Sequence, residues 1–223
     1  MKTITKSTLL AFLLMFTMAC SQKKSEENTE NAAEETATET VSGAVLNANL
    51  ATAEELESIG LSSELVTQIV ENRPYLTLGD FTALIGEGMA TEEMFTKIFV
   101  PMNLNTTPED DFKVIPGVGD RMAHEFEEYR PYTSIAQFRK EIGKYVDEEE
   151  VARYEQYVFV PVELNTASEE TMKALPGVGN RMAHEFDEYR PYTNMEQFRK
   201  EIGKYVDDTE LKRLARLVYI SEK

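Results

Sequence analysis

The sequence predicts an all-α protein: short helices in three tandem repeats, behind a disordered acidic tether. Three observations lead there. Apolar residues recur three and four positions apart, with no strand-like alternation of useful length. Pro and Gly interrupt the chain at intervals that suit short helices. The chain also repeats itself with a period of 60, since 27 of the 32 residues from Pro116 to Asp147 are identical to those 60 positions on.

The first element is not part of that fold. Lys2 and Lys6 precede an apolar run from Leu9 to Phe16, the order of a secretory signal. The run falls short of the roughly 20 residues that span a bilayer. It ends Thr17-Met18-Ala19-Cys20, which resembles a bacterial lipoprotein signal, with Thr17 where a Leu is usual. The resemblance implies a signal peptide over residues 1–19, a lipid on Cys20 and a membrane-anchored protein of the cell envelope. A plain signal peptide with a chance Cys is the alternative. Residues 20–45 hold six acids, no aromatic residue and no apolar period, which reads as a disordered acidic tether.

Three repeats follow, over 46–103, 104–163 and 164–223, each with about four helices. Thr106-x-x-Glu109 and Thr166-x-x-Glu169 have the pattern of a capping box for the first helix. Pro116-Gly117-Val118-Gly119, repeated at 176–179, stops that helix. Asp120 and Asn180 are N-cap types for the next one. Its apolar face is Met122, Ala123, Phe126 and Tyr129, matched by Met182, Ala183, Phe186 and Tyr189, and Pro131 and Pro191 end it. Phe138 and Ile142 mark a third helix; Val151, Tyr154 and Val158 mark a fourth. The first repeat is a diverged copy. It keeps Arg73-Pro74-Tyr75 but has Gly60-Leu61-Ser62 where the Pro-Gly-Val-Gly turn should be. Sixty residues are few for an independent core, so the repeats are expected to lean on one another.

The helix, Pro-Gly-Val-Gly turn and helix resemble the helix-hairpin-helix family. The order Leu164-Asn165-Thr166, Leu175 to Gly179, and Tyr189 to Tyr192 is similar to the ComEA-like competence proteins. The likeness covers residues 46–223, with the first repeat degenerate. Gly143-Lys144-Tyr145 and Gly203-Lys204-Tyr205 depart from the family, which often has a Gly-rich second turn there. The resemblance implies non-sequence-specific binding of double-stranded DNA, as in DNA uptake. Its site residues here would be Gly117, Val118, Gly119 and Arg121, with Gly177, Val178, Gly179 and Arg181. The physical logic holds without the name: two glycines permit a tight turn, and the next helix offers free N–H groups and a positive dipole end to a phosphate. A turn that only joins two helices is the bland reading, and a non-catalytic protein-interaction scaffold of the envelope that has lost DNA binding is the alternative function.

Charge separates the repeats. The chain has 23 bases against 40 acids, a net charge of −17, which opposes attraction of nucleic acid to the whole surface and favours basic partners. Residues 46–103 carry two bases against nine acids, residues 104–163 seven against fourteen, and residues 164–223 ten against eleven. At a Debye length of about 8 Å, acids elsewhere are largely screened from the last repeat. DNA contact is therefore expected in residues 164–223, where Arg181, Arg199, Lys200, Lys204, Lys212, Arg213 and Arg216 supply positive charge, while the first repeat is expected to be structural. Asp120 should repel a phosphate beside Gly119, and Asn180 removes that charge.

Other chemistry is poorly served. One Cys excludes a disulfide framework or a multi-Cys zinc site. His124 with Glu128 and His184 with Glu188 are too few ligands for a metal site and read as helix-surface pairs. Tyr129, Tyr132, Tyr189 and Tyr192 are expected to pack at helix ends rather than stack on bases. No nucleophile, phosphate-loop or nuclease-like acid pattern is visible, so neither an enzyme nor a cofactor is expected.

Overall fold

The computed structural model describes residues 43–221. Its first unit runs β1 (Leu46–Asn47), α1 (Ala53–Ser58), α2 (Ser63–Glu71), α3 (Leu78–Ile85), α4 (Glu92–Phe95) and β2 (Ile98–Phe99). The second runs β3 (Met102–Asn103), α5 (Glu109–Phe112), α6 (Asp120–Glu128), α7 (Ile135–Ile142), α8 (Glu148–Tyr154) and β4 (Val158–Phe159). The third runs β5 (Val162–Glu163), α9 (Glu169–Lys173), α10 (Gly179–Glu188), α11 (Met195–Ile202), α12 (Asp208–Ala215) and β6 (Val218–Tyr219).

The chain is thus mostly helical rather than all-α. Three parallel strand pairs, β1 with β2, β3 with β4 and β5 with β6, tie the start of each unit to its end. Each strand has two residues, too few for alternation to register in the sequence, and Ile98, Phe99, Val158 and Phe159 are buried one after the other. Val158 consequently leaves the fourth helix, which ends at Tyr154, and pairs with Met102 in β4. Met102 and Asn103 therefore close the second unit rather than the first.

Each unit has its own buried cluster. The expected helical face of α6 points inward: Phe126 meets Phe112, Phe138 and Tyr154 edge-on at centroid distances of 5.4, 5.1 and 5.4 Å. Met172, Phe186, Phe198 and Leu214 belong to the buried cluster of the third unit, and Leu56, Ile69, Phe81 and Ile98 to that of the first. A fully buried Phe stabilises such a core by about 1.5–3 kcal/mol. The clusters are not isolated. Phe95 and Phe99 of the first unit belong to the second unit's core, with Phe99 edge-on to Tyr157 at 4.9 Å.

The Arg-Pro-Tyr segments are clasps. Asn49 donates to the Tyr75 carbonyl at 2.9 Å and accepts from its N–H at 2.7 Å; Asn105 with Tyr132 and Asn165 with Tyr192 repeat the exchange. Arg73 adds bonds to the Ala48 and Ala51 carbonyls at 2.8 and 2.6 Å. The three tyrosine rings are buried, so Tyr132 and Tyr192 pack against their units and offer no face to a base.

Two capping expectations fail. The N-cap of α5 is Pro108, which has no side-chain acceptor, and α9 is capped by Ser168, whose Oγ accepts from the Thr171 N–H at 3.2 Å. Both helices start later than the Thr106 and Thr166 patterns suggest, because those residues turn back onto the Asn103 and Glu163 carbonyls at 3.2 and 3.3 Å. Capping boxes form instead in the first unit, at Thr52 with Glu55 and Thr77 with Asp80.

Candidate nucleic-acid interface

The Pro-Gly-Val-Gly turns require their first glycine twice over. Gly117 has φ +76° and Gly177 φ +65°, in the left-handed region that disfavours other residues. A Cβ on Gly117 would also lie 2.9 Å from the Arg153 Nη2, and one on Gly177 would lie 2.7 Å from Leu50 of the first unit. Val118 and Val178 are buried plugs. Their N–H groups donate to the Ile115 and Leu175 carbonyls at 2.9 and 3.2 Å. The turn itself consumes those hydrogens, so the free donors here are those of the helix that follows.

The second glycines differ between the two turns. Gly119 is the N-cap of α6, with φ −94° and ψ −179°, whereas Gly179 opens α10 with φ +62°. Neither has an atom within 4 Å of a would-be Cβ, so both face open space. Asp120 and Asn180 are not the N-caps. They are the first and second residues inside their helices, because the backbone alone begins each one.

That absence of a side-chain cap sets these helices apart. Nine of the twelve helices among the described residues have a side-chain oxygen on an N-terminal N–H; the others are the four-residue α5, α6 and α10. Orphan N–H groups at a helix start are satisfied by side chains, water or ligands. The first unit shows the contrast. Gly60 keeps the left-handed turn at φ +93°, but Ser62 caps α2 by accepting from the Leu65 N–H at 3.3 Å. Glu64 stands where Arg121 stands in the second unit. An anion is thus excluded there by an occupied donor and a like charge.

Arg121 and Arg181 are the second and third residues of α6 and α10, exposed and, among the described residues, in no ion pair. The Arg121 guanidinium lies 5.6 Å from the centre of the Tyr145 ring. The Tyr145 hydroxyl meets that of Tyr129 at 2.7 Å, an arrangement Tyr189 and Tyr205 repeat. Asp120 is engaged: its Oδ1 lies 2.8 Å from the Lys113 Nζ, which holds its carboxyl below the usual range. In the third unit Asn180 carries no charge, and Lys173 pairs with Glu169 and Glu170 at 3.2 and 3.1 Å.

Two residues hold the turns in a role the sequence did not suggest: Arg153 was not singled out, and Arg213 was expected to be surface charge. Arg153 donates to the Pro116 carbonyl at 2.6 Å and to Glu150 at 2.7 Å. Arg213 donates to the Pro176 and Gly177 carbonyls at 2.5 and 2.9 Å and to Glu210 at 2.7 Å, with its side chain buried. The signal was Glu-x-x-Arg recurring at 150–153 and 210–213. Arg216 is likewise committed. It bonds the Pro101 and Tyr75 carbonyls at 2.7 and 3.3 Å, lies 5.0 Å from the centre of the Phe159 ring, and burial pulls its pKa down to about 10. Arg213 and Arg216 therefore leave the surface charge expected of residues 164–223, and Lys204 pairs with Glu201. Arg181, Arg199, Lys200 and Lys212 remain exposed, and among the described residues none of them has an acidic partner.

His124 lies 3.2 Å from Glu109 and 3.9 Å from Glu128; His184 lies 4.0 Å from Glu188. Cys20, the signal segment and the tether lie outside the described residues. The helix-hairpin-helix motif family matches residues 158–218, which span β4 through the third unit to β6. No curated protein and no solved structure matches the chain.

Proposed function

We propose that this protein binds double-stranded DNA by its phosphates, without reading sequence, through the turns at 116–121 and 176–181. In this reading it is a lipoprotein held at the cell envelope by Cys20, with three tandem helix-hairpin-helix domains of ComEA-like type, and it serves DNA uptake. The observation that carries the proposal is the start of α6 and α10 without a side-chain cap, each beside a glycine open to solvent and an exposed arginine that is in no ion pair among the described residues. Helix-hairpin-helix motifs are commonly nucleic-acid binding, which the match at 158–218 supports at that coarse level. The third unit is the principal site, because Asn180 replaces the carboxylate of Asp120. The first unit is a structural support.

The test is duplex binding by the chain from residue 20 onward over a salt series, beside Arg181→Ala. Each phosphate that the variant no longer neutralises should flatten the slope of log K against log salt by about 0.9. Wild-type protein that fails to bind at about 50 mM salt would leave the scaffold reading, which the acidity of the first two units favours. Mass spectrometry of the mature N-terminus tests the anchor; an unmodified Cys20 refutes it.

A further inference from the structure

The two junctions between successive units use corresponding residues but close differently. Beside the junction of the second and third units, Arg139 and Glu155, both of the second unit, form a two-point ion pair at 2.5 and 2.8 Å that lines the cleft, which is about 330 Å³. Between the first and second, Thr82 and Phe95 occupy the corresponding positions, no such pair forms, and the cleft opens to about 840 Å³. Leu78, Phe95 and Met102 line its interior. Leu76 and Val114 also line it, and they are 45% and 38% exposed, two of the five large apolar side chains this exposed among the described residues. Neighbouring apolar exposure of this kind marks an interaction site.

Charge then selects the occupant. Arg216 borders the groove, with its Nη1 and Nη2 each donating to a backbone carbonyl, of Tyr75 and Pro101. Glu87 and Asp111 also line it, and among the described residues neither is in an ion pair. The two units that form the groove carry two bases against nine acids and seven against fourteen. An anionic ligand would meet these acids, and a purely apolar one would leave them without a partner.

We propose that this groove docks a cationic, amphipathic segment of a partner protein, with apolar anchors at helical spacing entering between Leu76 and Val114 and its basic face toward Glu87 and Asp111. The inference is independent of DNA binding, which it places on other residues. The probe is a fluorescein-labelled 14-residue peptide of Leu and Lys at helical spacing, followed by anisotropy with the chain from residue 20 onward. A control peptide with Ser in place of Leu should bind at least tenfold more weakly; equal binding overturns the proposal. The double variant Leu76→Glu, Val114→Glu makes the groove polar and adds two negative charges. Docking predicts at least tenfold weaker binding, whereas attraction to the acidic surface alone predicts equal or tighter binding. Leu76→Ser with Val114→Ser keeps the charge and should also weaken binding several-fold. Both positions are solvent-facing, and an unchanged thermal transition confirms that the variants are folded; unchanged peptide affinity in the folded Ser variant refutes the groove.

Discussion

Gly119 and Gly179 occupy the same place in nearly identical sequences, yet replacing each with Ala should have different consequences. Gly179 has φ +62°, where an L-residue costs about 1–2 kcal/mol. No atom lies within 4 Å of the added Cβ, so no steric cost is added. The reduced freedom of the unfolded chain returns about 0.4–1 kcal/mol. The net expectation for Gly179→Ala is a loss of about 1 kcal/mol. Gly119 has φ −94°, which Ala adopts freely, and its Cβ also meets open space. The same entropic gain is offset by the poorer N-cap quality of Ala, leaving Gly119→Ala close to neutral. Urea unfolding followed by far-UV circular dichroism measures both, read as midpoint shifts at unchanged slope. Equal shifts for the two variants, or a larger loss at Gly119, would refute the claim that the two turns differ in backbone conformation.

Other expectations follow from the same geometry. Arg213→Met should cost about 2–4 kcal/mol and Arg153→Met about half that, because the first side chain is 4% exposed and the second 31%; urea midpoints check the ratio. Asp120→Asn should raise duplex affinity at low salt, and fluorescence anisotropy of a labelled duplex reads it; an unchanged or lower affinity argues against a phosphate at α6. Ser62→Ala should leave DNA affinity unchanged while destabilising the protein by about 1 kcal/mol, since it removes a cap and touches no binding residue. The Glu109 hydrogen bond raises the His124 pKa, so this pair stabilises the fold fully below the unfolded value near 6.5 and fades as pH rises through the folded value. Titration by NMR should show the His124 pKa fall in Glu109→Gln; no change would remove Glu109 as the cause.

Much of the helical layout was legible because its signals are local. The spacing of Met122, Ala123 and Phe126 fixes one face of α6, and Pro131 ends it, without reference to the rest of the chain. What was illegible depends on distant residues. The pairing of Val158 with Met102 cannot be read from two-residue strands, and the caps of α5 and α9 shifted because Thr106 and Thr166 turn toward β3 and β5. In the candidate site, glycine type was readable but glycine conformation was not, since Gly119 and Gly179 both follow Pro-Gly-Val and differ in φ. Charge counting overstated the third unit's free cations. Arg213 and Arg216 look like surface bases in the sequence, and only the carbonyls they reach show otherwise.

The return of the third unit onto the first has a genetic consequence. In an open solenoid each repeat touches only its neighbours, so copies can be gained or dropped with little penalty. Here Arg216 reaches back to Tyr75 and Pro101, and Leu50 covers Gly177. A further copy inserted between the second and third units would carry those partners apart and leave a partly buried guanidinium without them. An inserted copy is therefore expected to be costly, because the contact joins the third unit to the first, the unit least like it in sequence.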